Sequence, residues 1–231
     1  MACEIETNAN TLIDIKYDQV FNKTKTITII DWDDTLFPTT VVSSNMNWID
    51  DPKSMPDKIK SNFEKLSIQI TYLITAAKTF GDVIIISNAA REWIISSVTL
   101  IPNAIDILKS VEIISTREYC KITSTDPQQW KTNSFLKKMG YYCELNPNTI
   151  LNVVCIGDSL IEYEAIKSVE SYVNNCDINN IVYRKSVKFI DKPTIKSIII
   201  QLFNLAELMR KSPEQITCYG NWNYGDWNNK N

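Results

Sequence analysis

Short unbroken apolar runs alternate along this chain with longer stretches whose apolar residues return every three or four positions. Thr26 to Ile30 (TITII), Val83 to Ile86 (VIII), Val111 to Ser115, Val153 to Ile156 (VVCI) and Ile181 to Arg184 have the length and β-branched content of buried strands. Asp57 to Phe80 places Ile59, Phe63, Leu66, Ile70, Leu73, Ile74 and Ala77 at helical spacing, with Pro56 suited to a first turn and Gly81 just past the end. A helix is expected from Ala90 to Leu100, stopped by Pro102, and another up to Lys109, which Asn103 is suited to cap. Lys131 to Met139 reads as a helix ending at Gly140, and a further helix follows Asp158 through Glu162 and Ala165. The last starts near Pro193 and runs past Leu208, with a stripe at Ile195, Ile198, Ile199, Leu202, Leu205 and Leu208.

Strands alternating with helices in this way form βαβ units and a mostly parallel sheet. No internal repeat and no shift of composition divides the chain. One domain is expected over residues 1–217, with a flap at about 36–56. The tail 218–231 (CYGNWNYGDWNNKN) has no periodicity and is expected to be flexible, although Trp222 and Trp227 could dock on the domain or a partner.

Composition narrows the chemistry more than the fold. With 231 residues, 44% of them apolar and 22% charged, the chain has the make-up of an ordinary globular protein. Lys+Arg 24 against Asp+Glu 27 leaves a net charge of -3, which argues against a nucleic acid or an anionic membrane as a structural partner. Met1 to Asp18 lacks a basic start followed by an apolar core, and no apolar run spans a bilayer, so a cytoplasmic location is expected. Cys3, Cys120, Cys143, Cys155, Cys176 and Cys218 are scattered with no CxxC pair, as suits free thiols in a reducing compartment. Histidine is absent, which removes Ser-His-Asp and Cys-His triads, HExxH zinc sites and histidine bases. Catalysis here has to run on carboxylates, hydroxyls, lysines or a hard metal.

The segment Ile30-Asp31-Trp32-Asp33-Asp34-Thr35-Leu36-Phe37-Pro38 sends three carboxylates out of a buried strand end. Strand ends are where parallel sheets bind ligands. Clustered carboxylates repel unless a cation or shared proton relieves them, and an all-oxygen ligand set points to Mg²⁺. A lone DxD would more often cap a turn or helix. Three downstream features weigh against that plainer reading: Ser87-Asn88 directly after the second strand, Lys131 opening a helix, and Gly157-Asp158 ending a strand with Glu162 one turn later.

Together, Asp31-Trp32-Asp33-Asp34-Thr35, Ser87, Lys131 and Asp158 with Glu162 resemble the motifs of the haloacid dehalogenase-like (HAD) superfamily, phosphatase branch. The resemblance covers residues about 26 to 165. It implies a Rossmann-like three-layer α/β/α sandwich and a phosphomonoester hydrolase. It makes Asp31 the nucleophile that forms an aspartyl phosphate and Asp33 the general acid and base. It implies Mg²⁺ on the Asp31 carboxylate, the Asp33 main-chain carbonyl and the Asp158 carboxylate, with phosphate bound by Ser87, Asn88 and Lys131. Lys121, Lys137 and Lys138 compete for the last role. For Ser87 an ordinary helix cap is the alternative, and for Trp32 core packing is expected. Glu162 has two candidate roles, since Ser159-Leu160-Ile161-Glu162 fits a capping box and the resemblance places it behind the metal, as it does Thr35.

Members of this superfamily choose substrates through cap insertions. Only 21 residues separate Thr35 from Asp57 and 43 separate Ser87 from Lys131, so no large cap domain is expected. An open site implies a bulky phosphorylated partner, such as a phosphoprotein or a nucleic-acid end; a sugar phosphate or nucleotide is the alternative. Trp48 in the flap would pack on the domain or cover the site. A phospho-receiver domain uses similar residues but places its Lys last, whereas Lys131 precedes Asp158. A catalytically weak HAD-like binding protein is the other reading.

Overall fold

The computed structural model describes residues 23–120, 126–175, 180–217 and 220–225. Met1 to Asp18, Lys121, Cys3, Cys176, Cys218 and Trp227 lie outside them.

Six strands, all parallel, form one sheet: β1 (Lys23–Ile30), β2 (Gly81–Ser87), β3 (Glu112–Ser115), β4 (Thr149–Gly157), β5 (Ile181–Lys188) and β6 (Trp222–Gly225), in the order β3-β2-β1-β4-β5-β6. Helices cover both faces, so β4 is buried along its whole length and needs no polar face. On one face, α3 (Asp57–Lys78) and α9 (Ile195–Lys211) pack together. On the other lie α7 (Pro127–Leu145) and α8 (Leu160–Asn175).

Alternation along β1 splits the core. Ile27 and Ile29 join Phe135, Met139, Val153 and Ala165, whereas Ile30 and Trp32 join Phe63, Leu66, Ile70, Leu202 and Leu205. Each large side chain so buried contributes roughly 1.5–3 kcal/mol. Tight packing also fixes Gly81, where a Cβ would lie 2.1 Å from the Thr26 carbonyl oxygen. Among the described residues no helix is long and apolar enough to cross a membrane.

Shorter elements complete the chain: α1 (Thr39–Ser43) and α2 (Asn47–Asp50) after β1, α4 (Arg91–Val98) and α5 (Ile105–Lys109) after β2, α6 (Thr116–Cys120) after β3, and α10 (Pro213–Thr217) before β6. The flap segment thus folds into two short helices and a 3₁₀ turn at Pro52–Ser54, and Trp48 is buried in the core.

Three local expectations are corrected. Gly140 does not end its helix: α7 starts four residues before Lys131, capped by Asp126 through Gln128 N–H (3.0 Å), and runs to Leu145. Gly140 stays helical because the turn's own hydrogen bonds and the buried Phe135, Met139 and Cys143 outweigh the roughly 1 kcal/mol that glycine costs. Asn103 lies within the 3₁₀ turn Pro102–Ala104, so Ala104 occupies the cap of α5 and makes no side-chain cap bond. The tail is not irregular throughout: residues 222–225 form β6, which satisfies the edge of β5.

Candidate active site at the ends of the central strands

The strand order changes direction between β1 and β4, and in such sheets ligands bind at that crevice, beyond the carboxyl ends. Ile30 lies opposite Ile156, and the Asp31 N–H donates to the Ile156 carbonyl (2.9 Å), so Asp31 stands beside Gly157 with Asp158 one residue further on. Neighbouring strands run about 4.8 Å apart, which brings the ends carrying Asp31 and Asp158 together.

The turn after β1 sorts its three acids. The Trp32 carbonyl accepts from Thr35 (3.3 Å), Leu36 (3.0 Å) and Phe37 (2.9 Å) N–H, and the tight turn puts Asp34 at φ 53. Aspartate tolerates that left-handed backbone because its short side chain can bond locally. Here the Asp34 carboxylate accepts from the Thr40 N–H (2.9 Å) and hydroxyl, so it serves α1 rather than the crevice. Asp33, half-buried, accepts at Oδ1 from Thr39 Oγ1 (2.5 Å) and Trp93 Nε1 (3.0 Å). Trp32 is core, as expected, with its indole donating to Ser97 Oγ (3.2 Å). Thr35 is fully buried, and its hydroxyl has no hydrogen-bond partner among the described residues.

Lys131 sits in the second turn of α7 and is almost fully buried. Its ammonium lies 2.6 Å from Asp31 Oδ1 and also bonds Glu162 Oε1. The other Glu162 oxygen, Oε2, accepts from the Ser159 N–H (3.1 Å) and hydroxyl, while Ser159 Oγ accepts from the Ile161 N–H (3.2 Å). Glu162 therefore closes the capping box with one oxygen and holds Lys131 with the other. Gly157 makes this possible, since a Cβ there would lie 2.4 Å from Glu162 Cγ. Of the competing lysines, Lys138 pairs with Glu112 (2.6 Å) and Lys137 is exposed.

Ser87 ends β2, fully buried, and its hydroxyl accepts from the Ala89 N–H (3.1 Å). It does not cap a helix: α4 begins at Arg91, with Ala90 at its cap. The Asn88 amide donates to the Pro127 carbonyl (3.0 Å) and accepts from the Thr116 hydroxyl, tying the loop to α7 and α6.

Burial pushes Asp31 up to about 7; the Lys131 ammonium opposes this, and Glu162 and Asp33 add to it. Burial also works against the charge on Lys131, but Asp31 and Glu162 outweigh it and hold the ammonium above the usual lysine range. Asp158 is raised to about 7 by burial and then by Glu162 and Asp34, with Lys131 and Lys188 opposing. Two acids held protonated near neutrality suit a site completed by added positive charge.

The donor set fits a hard cation in part through the main chain. Among the described residues no three acidic, histidine or cysteine side chains gather as a metal cluster. Asp31 Oδ1, however, is buried and among the described residues meets only the Lys131 ammonium, at 2.6 Å. The Asp33 carbonyl accepts no backbone hydrogen bond among the described residues, although the neighbouring Trp32 carbonyl accepts three. Asp31, Asp158 and that carbonyl are all oxygen donors, as Mg²⁺ requires.

Thr39 and Trp93 were not foreseen. A hydroxyl and an indole N–H that reach Asp33 from two helices carry no sequence signature, beyond a tryptophan one turn past the β2 loop.

No known protein family's profile matches the chain, and no curated protein matches it. Among solved structures, the HAD domain of effector protein Lem4 from Legionella pneumophila is similar to 80% of this chain and is itself covered over 97%, at 10% identity and a TM-score of 0.41.

Proposed function

We propose that this protein is a Mg²⁺-dependent phosphomonoester hydrolase of the HAD type that works through an aspartyl phosphate on Asp31. The observation that carries this reading is the Lys131 ammonium, buried between Asp31 and Glu162 at the crevice where Asp158 also emerges. An anionic ester drawn to that ammonium and to the main chain of the Ser87–Asn88 loop would lie against the Asp31 carboxylate.

An ionised Asp31 oxygen attacks phosphorus as the ester P–O bond breaks, and Asp33 gives its proton to the leaving oxygen. Water then attacks phosphorus and loses its proton to Asp33; the bond to Asp31 breaks, and phosphate departs. Lys131 favours the ionised Asp31 that the first step needs. Mg²⁺, held by Asp31, Asp158 and the Asp33 carbonyl, would supply charge that offsets the repulsion between carboxylates and phosphate.

Among the described residues, the segments where cap domains are inserted hold short helices, turns, β3 and the first turn of α7. A capless, open site supports a bulky substrate, a phosphoprotein or a nucleic-acid end. Beryllium fluoride with Mg²⁺, a mimic of the phosphoryl group on aspartate, should raise the melting temperature of the wild type and not of Asp31→Asn. An unshifted wild type contradicts the reading.

A further inference from the structure

We propose that Trp93 and Thr39 form a two-donor clamp on Asp33 Oδ1 that leaves Oδ2 to handle the leaving-group proton. The inference rests on the phosphatase reading for its chemistry and on geometry for its form. Trp93 Nε1 lies 3.0 Å and Thr39 Oγ1 2.5 Å from the same carboxylate oxygen, and the indole N–H is shared, donating also to Thr39 Oγ1 at 3.3 Å. A carboxylate oxygen has two lone pairs, so two donors fill Oδ1. No hydrogen bond engages Oδ2 among the described residues.

Both donors are fixed by other contacts. The Trp93 ring meets Phe37 edge-on, at 5.9 Å and 81°, and Phe37 is buried and stacked on Trp32 at 6.0 Å. Trp32 in turn bonds Ser97, a residue of the same helix as Trp93, so α4 grips the loop twice. Thr39 opens α1, and its neighbour Thr40 holds Asp34 as Thr39 holds Asp33. An acid clamped at one oxygen has little rotational freedom to lose in the transition state. These are positioning residues, since they act through Asp33.

Trp93→Phe keeps an aromatic ring against Phe37 and removes the indole N–H. With an alkyl ester such as β-glycerophosphate, where the leaving oxygen needs a proton, kcat should fall about tenfold. With p-nitrophenyl phosphate, whose leaving group departs nearly unaided, the pre-steady-state burst of p-nitrophenolate that reports the first step should slow less than about threefold, even where the later steady rate, which waits on Asp33 as base, falls further. Thr39→Val should act in the same direction. A readout free of activity is the Trp93 indole N–H resonance of ¹⁵N-labelled protein, assigned by its loss in Trp93→Phe, which should move upfield in Asp33→Ala. A burst slowed as much as turnover of the alkyl ester, no loss on either ester, or an indole resonance indifferent to Asp33→Ala overturns the clamp while the phosphatase reading stands. A folded wild type that turns over neither ester overturns that reading and the proton-handling role with it.

Discussion

Replacing Lys131 with methionine tests the electrostatics of the site at its centre. Methionine fills a similar volume, so the main loss is the ammonium that lies between Asp31 and Glu162. Removing one partner of a buried ion pair typically costs about 3–5 kcal/mol, because a charge is left without compensation. That cost depends on pH. Asp31 titrates near 7, so at pH 5 it is neutral and needs no counter-charge. Lys131 stays charged across this range, so its own titration does not enter. Urea unfolding of Lys131→Met should therefore show a loss of about 3–5 kcal/mol at pH 8 and a clearly smaller one at pH 5. Lys109→Met is the control, since Lys109 is 73% exposed and meets Asp106 only at 3.4 Å; its loss should be near zero at both pH values. A pH-independent loss in Lys131→Met, or one no larger than the control's, refutes the reasoning.

Gly157→Ala should cost about 1–3 kcal/mol, since the new methyl displaces Glu162 from both Lys131 and the Ser159 cap; adding Glu162→Ala should recover part of it, and urea midpoints of the two variants decide. Mg²⁺ binding must displace protons from Asp31 and Asp158, both held near 7, so its Kd by calorimetry should weaken about a hundredfold from pH 8 to pH 6; equal values contradict the ligand set. The same two shifts fix a sign without metal. Between 3.8 and about 7 the folded state holds more protons than the unfolded state, so these groups make the chelated protein less stable as pH rises through that window, and melting temperatures of Asp31→Asn and wild type should draw together as pH falls from 8 to 5 and converge only towards 3.8. The Cys155 thiol, buried and raised well above its usual value first by burial and then by Glu162, should resist a thiol reagent until urea unfolds the chain.

Much of the frame was legible because its signals are local. Runs such as TITII and VVCI, bounded by polar residues and followed by acids, gave β1 and β4 and the crevice between them. Helix interiors with an apolar stripe, such as Phe63 to Ala77, also carried their own evidence. What the sequence hid depends on tertiary packing. Gly140 looks like a helix end until Phe135, Met139 and Cys143 are seen to bury the helix that contains it. Four residues of the Asn- and Trp-rich tail have no strand periodicity, yet the open edge of β5 supplies hydrogen bonds that order them. Asp34 leaves the strand end beside Asp31 and Asp33 with no role assigned from the sequence, and the turn at φ 53 gives its carboxylate to Thr40. Glu162 closes the cap that its spacing suggested and also holds Lys131, a partner that spacing does not reveal, because Gly157 leaves room for one side chain to serve both.

The central claim is a covalent bond between Asp31 and phosphorus, and trapping it is the most direct measurement. Wild type and Asp33→Asn would be mixed with Mg²⁺ and p-nitrophenyl phosphate, quenched in acid within the first turnover, digested and mapped by mass spectrometry. Phosphate should be found on the peptide carrying Asp31, in larger amount in Asp33→Asn, whose second step lacks its base, and be absent from Asp31→Asn. Turnover that leaves no phosphate on Asp31 at any time, with Asp31→Asn as active as the wild type, would contradict the account.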